Sequence, residues 1–212
     1  MNKVLDAIHQ HKIISIIRTD SSRDLVEVAG HLYRAGIRVL EVTMNTPGAL
    51  KGIEQIKETY SDMWIGAGTV LDSETARLAI LAGATFLLAP TLKQETIEMG
   101  NRYNVPVIPG VFTPTEVLTA YELGANVVKV FPVGSLGAKY IKELKGPLNQ
   151  VEMIPVGGVT TETALDFLQA GSFALGVGSA IVSNKLVEEK KFTEIGKRAK
   201  QLIDIVKTFP SR

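Results

Sequence analysis

The stretch Ala35-Gly36-Ile37-Arg38-Val39-Leu40-Glu41-Val42-Thr43 places a glycine just ahead of a short, mostly apolar run. The same arrangement recurs at Gly83, Gly124 and Gly171, at intervals of 47, 41 and 47 residues. Each glycine follows a segment with helical spacing, where it can adopt the left-handed conformation that ends a helix. Each interval accommodates two strand–helix units, so the chain is predicted to repeat such units.

Short runs rich in valine and isoleucine alternate with longer amphipathic segments from one end of the chain to the other. The runs are nearly continuous in hydrophobicity, which is typical of parallel strands that are covered on both faces. We place them at residues 13–17, 39–42, 64–67, 86–89, 105–108, 127–131, 153–156 and 174–177. Each is followed by a segment with helical periodicity, which predicts eight strand–helix units.

This pattern predicts an α/β protein, a (β/α)8 TIM barrel formed as a single domain by residues 1–212. Residues 1–10 would form an additional N-terminal helix that covers the barrel floor. The alternative is a doubly wound open sheet, which places a glycine-rich phosphate-binding turn after its first strand. Here Arg18-Thr19-Asp20-Ser21 follows that strand and contains no glycine, which favours the barrel.

Several predicted helices carry sequence signals for their first turn. Thr113-Pro114-Thr115-Glu116 combines a capping hydroxyl, a proline in the first turn and a carboxyl group that can reach back to the cap. Two further pairs, Ser21 with Asp24 and Thr91 with Gln94, have the three-residue spacing of a capping box. These three sites are therefore predicted helix starts.

Composition excludes several functional classes. The 212 residues carry 23 Lys and Arg against 22 Asp and Glu, and this net charge of +1 argues against nucleic-acid binding through bulk charge. Zero cysteines exclude a disulfide scaffold, thiolate catalysis and cysteine-ligated metals. The first nine residues do not resemble a signal peptide, and no apolar run reaches the roughly 18 residues of a membrane helix. We expect a cytoplasmic protein with neither a nucleic-acid nor a membrane partner.

Lys129 interrupts one of the predicted apolar strands. Because side chains alternate across a strand, Lys129 shares a face with Val127 and Phe131, and the other face carries Val128 and Val130. We therefore expect Lys129 to point into the barrel, where desolvation lowers its pKa. A neutral amine is the nucleophile that forms a Schiff base with a ketone. The alternative is an irregular strand from which Lys129 extends to solvent.

Glu41 lies on the same face of its predicted strand as Val39 and Thr43, so it also points inward near the strand's end. A buried carboxyl group beside an amine can transfer protons near neutral pH. The alternative is a structural ion pair with Lys129 or Arg18, since ion pairs also perturb pKa values.

Glycines end the last two predicted strands, at Gly157-Gly158 and at Gly176-Val177-Gly178-Ser179. Loops at this place in a barrel often bind phosphate through backbone N–H groups, although turn glycines alone would explain the pattern. Arg18 can bind a carboxylate or phosphate or pair with Glu41, and Thr69 can bind substrate or cap a helix. The histidines fall on the first helices and form no cluster at ligand spacing, so we expect no metal and no cofactor.

Taken together, these motifs resemble the bacterial 2-keto-3-deoxy-6-phosphogluconate (KDPG) / 4-hydroxy-2-oxoglutarate (KHG) aldolases. The resemblance covers nearly the whole chain, in order and with the family's spacing. It rests on Gly36-Ile37-Arg38-Val39-Leu40-Glu41-Val42-Thr43, Gly66-Ala67-Gly68-Thr69-Val70, Ile108-Pro109-Gly110-Val111, Lys129-Val130-Phe131-Pro132 and Pro155-Val156-Gly157-Gly158-Val159.

The resemblance implies a class I aldolase on a (β/α)8 barrel, usually a homotrimer, that acts on a phosphorylated keto acid. It implies Lys129 as the Schiff-base lysine and Glu41 as the proton acceptor and donor. The substrate-site positions implied by the family are Thr69, Pro90, Phe131, Gly157, Gly158, Gly178 and Ser179. Some relatives carry arginine at the position of Asn45, where it helps to bind the substrate carboxylate. In this chain we expect Arg18 to bind that carboxylate instead.

The expected reaction is reversible cleavage of 2-keto-3-deoxy-6-phosphogluconate to pyruvate and glyceraldehyde 3-phosphate, with 4-hydroxy-2-oxoglutarate as a further substrate. Val156 stands where gluconate-type enzymes often have threonine, so a 2-keto-3-deoxy-6-phosphogalactonate aldolase is the alternative. Two other functions remain open on the same barrel. One is a phosphosugar isomerase or epimerase, and the other is a non-catalytic sugar-phosphate-binding protein.

Overall fold

A computed structural model describes residues 2–210, which form ten helices and nine strands. The helices are α1 (Lys3–His11), α2 (Leu25–Ala35), α3 (Ala49–Thr59), α4 (Ser73–Leu81), α5 (Gln94–Arg102), α6 (Pro114–Glu122), α7 (Gly137–Lys145), α8 (Ala164–Gln169), α9 (Asn184–Glu188) and α10 (Phe192–Lys207). The strands are β1 (Ile13–Ile17), β2 (Val39–Thr43), β3 (Trp64–Gly68), β4 (Phe86–Leu88), β5 (Val107–Ile108), β6 (Gly110–Val111), β7 (Val127–Val130), β8 (Glu152–Pro155) and β9 (Leu175–Val177).

The strands form a curled, parallel arrangement. Six of them pair in the order β5-β4-β3-β2-β1-β9, and three pair in the order β6-β7-β8. The two sheets meet at Pro109, the one residue between β5 and β6. At their other side an isolated parallel bridge joins Val156, directly after β8, to Gly176 in β9. The α/β class and the parallel pairing predicted from the sequence are confirmed.

Each predicted apolar run coincides with a strand, with one difference. The run at 105–108 forms strand only from Val107, and the chain then continues past Pro109 into β6. Proline lacks a backbone N–H, so Pro106 and Pro109 cannot donate to a strand ladder, which shortens and divides this strand.

Apolar side chains on the two faces of the strands form two separate clusters. Leu40, Val42, Val128 and Val130 belong to the larger cluster, which includes the buried faces of most helices. On the opposite face of the same strands, Val39 and Val127 belong to a smaller inner cluster with Phe86, Ile108 and Ile154. The predicted alternation of β2 and β7 is therefore confirmed.

Helix α1 contributes to the inner cluster through Val4, Leu5 and Ile8. Its first turn is capped by Asn2, whose side-chain oxygen accepts a hydrogen bond of 2.9 Å from the Val4 N–H. None of the helices within residues 2–210 has the length and apolar character needed to cross a membrane.

The predicted helix boundaries are partly correct. Gly36, Gly83, Gly124 and Gly171 all have positive φ, as expected of glycines that end helices. Thr113 and Glu116 form the predicted capping box. The other two capping boxes were wrong, because α2 begins after Asp24 and α5 after Lys93, neither with a side-chain cap.

Candidate active site

Strand β7 holds Lys129 on the inner face of the sheet. The residue pairs with Gly110 of β6 on one side and with Ile154 of β8 on the other. Its side chain is 4% exposed, and its Nζ lies 4.9 Å from the centroid of the Phe131 ring. The predicted inward orientation is confirmed, and extension to solvent is excluded.

Strand β2 holds Glu41 in register with Ile16 of β1 and Gly66 of β3. The side chain is 1% exposed. A Cβ atom at Gly68 would overlap the Glu41 carboxyl group, so glycine at that position leaves the space that the carboxyl group occupies. Within residues 2–210, Glu41 Oε2 has no hydrogen-bond partner. A buried acceptor without a partner is costly and calls for an explanation.

Burial acts on both ionisable groups and disfavours their charged forms. It raises the pKa of Glu41, while the positive charges of Lys129 and Arg18 partly oppose that rise. Burial also lowers the pKa of Lys129; Glu41 opposes the decrease, and Arg18 adds to it. A neutral amine and a protonated carboxyl group are therefore both more accessible here than in water.

Two predicted residues lie at the carboxyl ends of neighbouring strands. Arg18 follows β1 and is exposed, but its charge influences the pKa of both Glu41 and Lys129, which places it near the pair. Thr69 follows β3 and has a φ of 55°, in the left-handed region that β-branched residues rarely adopt. Such backbone strain is common at ligand-binding sites.

The glycine loops after β8 and near β9 present bare backbone. Gly157 and Gly158 have φ values of 86° and 87°. A Cβ atom at Gly158 would lie 2.5 Å from Cα of Gly134, so the two loops meet backbone to backbone. Gly178 is half-buried and Ser179 is exposed, immediately after β9. Gly134 is a member of this arrangement that the sequence analysis missed, because no motif surrounds it.

The remaining predicted positions, Pro90 and Phe131, are both half-buried. Pro90 follows β4, and a Cβ atom at Gly110 would overlap its backbone. Because Gly110 pairs with Lys129, Pro90 lies one strand away from the lysine.

A buried hydroxyl cluster supports the loop after β2 and was also missed. The Thr43 and Thr46 hydroxyl oxygens are 3.2 Å apart, and the Thr19 N–H donates to Thr46 Oγ1 at 3.2 Å. These bonds tie the ends of β1 and β2 together and leave Asn45 exposed between them. Sequence patterns could not predict this cluster, since threonines at these spacings form no known motif.

The three histidines lie on α1 and α2, as predicted. No group of three or more His, Cys, Asp or Glu residues that could hold a metal ion occurs in the part of the chain that the structure covers.

A buried lysine with a lowered pKa can act as the nucleophile that forms a Schiff base with a carbonyl compound, which is the chemistry of class I aldolases. A model of the KDPG and KHG aldolase family matches residues 4–198. The chain belongs to this family, and it is a lyase.

Individual relatives agree with the family assignment. A 2-dehydro-3-deoxy-phosphogluconate aldolase from Haemophilus influenzae is 32% identical over 206 residues, which is 97% of each chain. A 2-dehydro-3-deoxy-6-phosphogalactonate aldolase from Escherichia coli K12 is 34% identical over 169 residues, covering 79% of this chain and 82% of that protein. The crystal structure of a Legionella pneumophila KDPG aldolase, with pyruvate captured as a covalent carbinolamine, superposes with a TM-score of 0.88 at 29% identity, covering 94% of this chain and 97% of that one.

The coupling between the two buried groups makes stability depend on pH in a defined way. A carboxyl group whose pKa is higher in the folded than in the unfolded state stabilises the protein at low pH. This contribution is lost as the pH rises through the pKa of the folded state. Lys129→Met removes the main cation that holds the Glu41 pKa down. The variant should lose about 1.4 kcal/mol of unfolding free energy per pH unit between the ordinary glutamate pKa and the raised one.

Urea unfolding at intervals from pH 5 to pH 8 measures this slope. The control is the double variant Lys129→Met with Glu41→Gln, in which no ionisable group of the pair remains and the extra slope should vanish. Equal pH profiles for the single and double variants would show that Glu41 is not the titrating group.

Proposed function

We propose that this protein is a class I aldolase that reversibly cleaves 2-keto-3-deoxy-6-phosphogluconate to pyruvate and glyceraldehyde 3-phosphate. The observation that carries the proposal is the burial of Lys129 beside Glu41, with opposite pKa shifts caused by the same desolvation. Relatives named as this aldolase and a relative with covalently bound pyruvate support the same reaction.

Lys129 is the proposed nucleophile. Its neutral Nζ attacks the keto carbon of the substrate and forms a carbinolamine, which loses water to give a protonated imine. Burial supplies the neutral amine, and the Phe131 ring, 4.9 Å from Nζ, stabilises the cationic imine once it forms. The imine then withdraws electrons from the bond that is to be broken.

Glu41 is the proposed proton acceptor and donor. Its protonated form donates to the departing hydroxyl of the carbinolamine, and its ionised form then removes the proton from the carbon-4 hydroxyl through a water. The unpartnered Oε2 is the atom available for both transfers. The electron pair of the carbon 3–carbon 4 bond moves onto the imine, glyceraldehyde 3-phosphate leaves, and an enamine remains. Protonation at carbon 3 and hydrolysis release pyruvate and restore the amine.

The ends of the substrate are assigned to two parts of the site. The phosphate binds backbone N–H groups of Gly157, Gly158, Gly178 and Ser179, and the positive φ of Gly157 and Gly158 lets the backbone approach an anion closely. The carboxylate binds Arg18, because Asn45 supplies no charge at the alternative position. The remaining substrate contacts are Thr69, Pro90 and Phe131.

We further propose that the nine strands form one closed (β/α)8 barrel within a single domain of residues 1–212. Continuity across Pro109 and the bridge from Val156 to Gly176 support closure of the ring. Helix α1 is the additional N-terminal helix that covers one end, since Val4, Leu5 and Ile8 pack into the inner cluster. Catalysis then takes place at the carboxyl ends of the strands, as in other barrels.

A second substrate and a second candidate activity follow from the relatives. Cleavage of 4-hydroxy-2-oxoglutarate to pyruvate and glyoxylate needs the same lysine and no phosphate, so we include it. The galactonate-type aldolase is the alternative, favoured by Val156 and by the 34% identical Escherichia coli relative. No metal or cofactor enters either reaction as proposed.

The proposed assembly is a cytoplasmic homotrimer. Five exposed apolar side chains lie on or beside the successive helices α4, α5 and α6 and support such an interface. We call them the apolar face: Leu78, Leu81, Tyr103, Leu118 and Tyr121. The Arg77 guanidinium lies 5.0 Å from the centre of the Tyr103 ring, which links α4 to the end of α5.

Covalent trapping tests the proposed nucleophile. Borohydride added with pyruvate should reduce the imine and add the mass of the reduced adduct to the tryptic peptide that contains Lys129. Lys129→Ala should abolish both trapping and cleavage while the circular dichroism spectrum stays unchanged. Lys145→Ala is the control, because Lys145 is paired with Glu152 outside the proposed site. Turnover at the wild-type rate in Lys129→Ala would mean that another group is the nucleophile.

Side-by-side assays test the substrate. With coupled detection of released pyruvate, we expect a higher kcat/KM on the gluconate-derived substrate than on its galactonate epimer. Val156→Thr should increase that preference, because a hydroxyl beside Gly157 favours the gluconate epimer. Faster cleavage of the galactonate-derived substrate would make the alternative activity correct, and no pyruvate from either would refute aldol cleavage.

Disruption of the apolar face tests the assembly. Leu81 is 64% exposed, and Leu81→Glu places a charge within the proposed interface. Light scattering after size-exclusion chromatography should give three times the chain mass for the wild type and a single chain mass for the variant. Gln201→Glu on α10 adds the same charge elsewhere and should leave the mass unchanged. A monomeric wild type would contradict the trimer.

A further inference from the structure

A cavity of about 990 Å³ lies at the amino ends of the strands, the end opposite to Lys129 and Glu41. It is bordered by the segments that lead into β1, β2, β8 and β9 and by the C-terminal half of α10. Its volume is at the upper end of the range of small-molecule sites. The proposed aldolase reaction makes no use of it.

Positive charge predominates in the cavity wall. Glu152 is the one carboxylate among the lining residues. The cavity is also lined by five cationic side chains: Lys12, Arg38, Lys145, Lys200 and Lys207. Three of these cations are neutralised by carboxylates, Lys145 by Glu152 at 2.7 Å, Arg38 by Asp62 at 3.4 Å and Lys200 by Asp204. Lys12 and Lys207 have no carboxylate partner within residues 2–210, which leaves two positive charges.

Lys12 is held in place even without an ion partner. Its Nζ donates to the Phe173 carbonyl oxygen at 3.1 Å, which leaves two of its three N–H donors for a ligand. Burial lowers the pKa of Lys12, and the negative charge of Glu152 opposes that decrease only in part, so the ammonium group is incompletely compensated. An anion in the cavity would supply the missing charge.

A second, independent feature of the wall points to a ligand. Ser172 is 6% exposed and lines the cavity, and its Oγ has no hydrogen-bond partner among the residues that the structure covers. Buried hydroxyl groups are nearly always hydrogen-bonded, because the loss of hydration otherwise costs about 1–3 kcal/mol. The Oγ atom itself is enclosed, so a change of the Ser172 rotamer has to bring the hydroxyl to the cavity before it can donate to a bound molecule.

The rest of the wall is apolar and in part aromatic. The imidazole of His9 stacks on the Phe173 ring with their centroids 4.8 Å apart. From α10 and its end, Ile203, Val206 and Phe209 form the opposite wall. Planar groups stack favourably on such surfaces.

We propose that this cavity binds an organic phosphate that carries a planar ring, with the phosphate at Lys12, Lys207 and Ser172. A phosphate monoester has a charge of about −1.5 to −2 near neutral pH, which matches the two uncompensated cations. A free inorganic anion would leave the apolar wall unfilled, and an uncharged ring would leave the lysines unpaired. The ring packs along His9, Phe173 and the apolar residues of α10.

Three probes separate these contributions: adenosine 5′-monophosphate, adenosine and inorganic phosphate. Isothermal titration calorimetry on the whole protein should show the nucleotide binding at least about tenfold more tightly than either fragment, since hydrogen bonds to charged groups and ring burial both contribute. Equal affinity for the nucleotide and for inorganic phosphate would refute a ring site, and absence of nucleotide binding would refute the proposal.

Matched variants locate the site. Lys207→Met should weaken nucleotide binding about tenfold, whereas Lys197→Met, on the same helix but outside the cavity, should not. Ser172→Ala should weaken it as well, with Ser15→Ala as its control, because Ser15 Oγ is another buried hydroxyl without a partner. Pyruvate release should stay at the wild-type rate in all four. Nucleotide binding that is unaffected by Lys207→Met and competes with the keto acid would place the ligand in the active site and overturn the inference.

NMR titration of the histidines tests directly whether an anion binds in the cavity. A purely structural role of the lysines would give no ligand-dependent change in the histidine pKa values. His9 and His11 line the cavity, while His31, the one other histidine, lies outside it. Burial and Lys12 lower the pKa of His9, against Glu152 and Asp6, and burial and Arg38 lower that of His11. A bound phosphate should raise both pKa values in NMR titrations and leave His31 unchanged. Equal shifts at all three histidines would indicate nonspecific binding and refute the site.

Discussion

The exclusion of water from one amine and one carboxyl group is the constraint on which the site depends. Taking either charge out of water costs several kcal/mol, and mutual attraction repays this only in part. Lys129 and Glu41 accept that cost without a full set of hydrogen bonds, since Glu41 Oε2 has no partner among the described atoms. Replacing a buried ion pair by apolar residues is often neutral or stabilising, so the pair fits the proposed catalytic role better than a role in stability.

Parallel strands allow this burial while their other face remains fully packed. Alternate residues of β2 and β7 pack under the helices, where Leu40, Val42, Val128 and Val130 are fully buried. The opposite face therefore has room for ionisable groups at the strand ends. Glycine completes the arrangement, because a side chain at Gly68 would occupy the place of the Glu41 carboxyl group. The local sequence thus specifies packing and chemistry on opposite faces of one strand.

Sequence patterns predicted the features that depend on periodicity. Strand positions, the inward orientation of Lys129 and Glu41, and the helix-ending glycines all follow from the spacing of apolar residues, and all are confirmed. Features that depend on tertiary contacts could not be predicted. The helix starts at Ser21 and Thr91 had suitable spacing, but α2 is preceded by Asp24 and α5 by Lys93, three and two residues later. The contact of Gly134 with Gly158 and the bond from Thr19 to Thr46 join segments that no local pattern connects.

Unpartnered buried atoms occur at both ends of the strands and also elsewhere in the interior. Four side chains have such atoms among residues 2–210, and two of these residues lie near ionisable side chains. Glu41 lies beside a buried amine at the carboxyl ends, and Ser172 lies in a cationic cavity at the amino ends. Nothing in the structure explains Ser15 and Thr96, which lie in neither place. An unsatisfied atom alone is therefore weak evidence for a ligand, and it becomes informative only where uncompensated charge and empty volume coincide with it. The proposed phosphate site meets all three conditions, which is why the inference rests on Ser172 and not on Ser15.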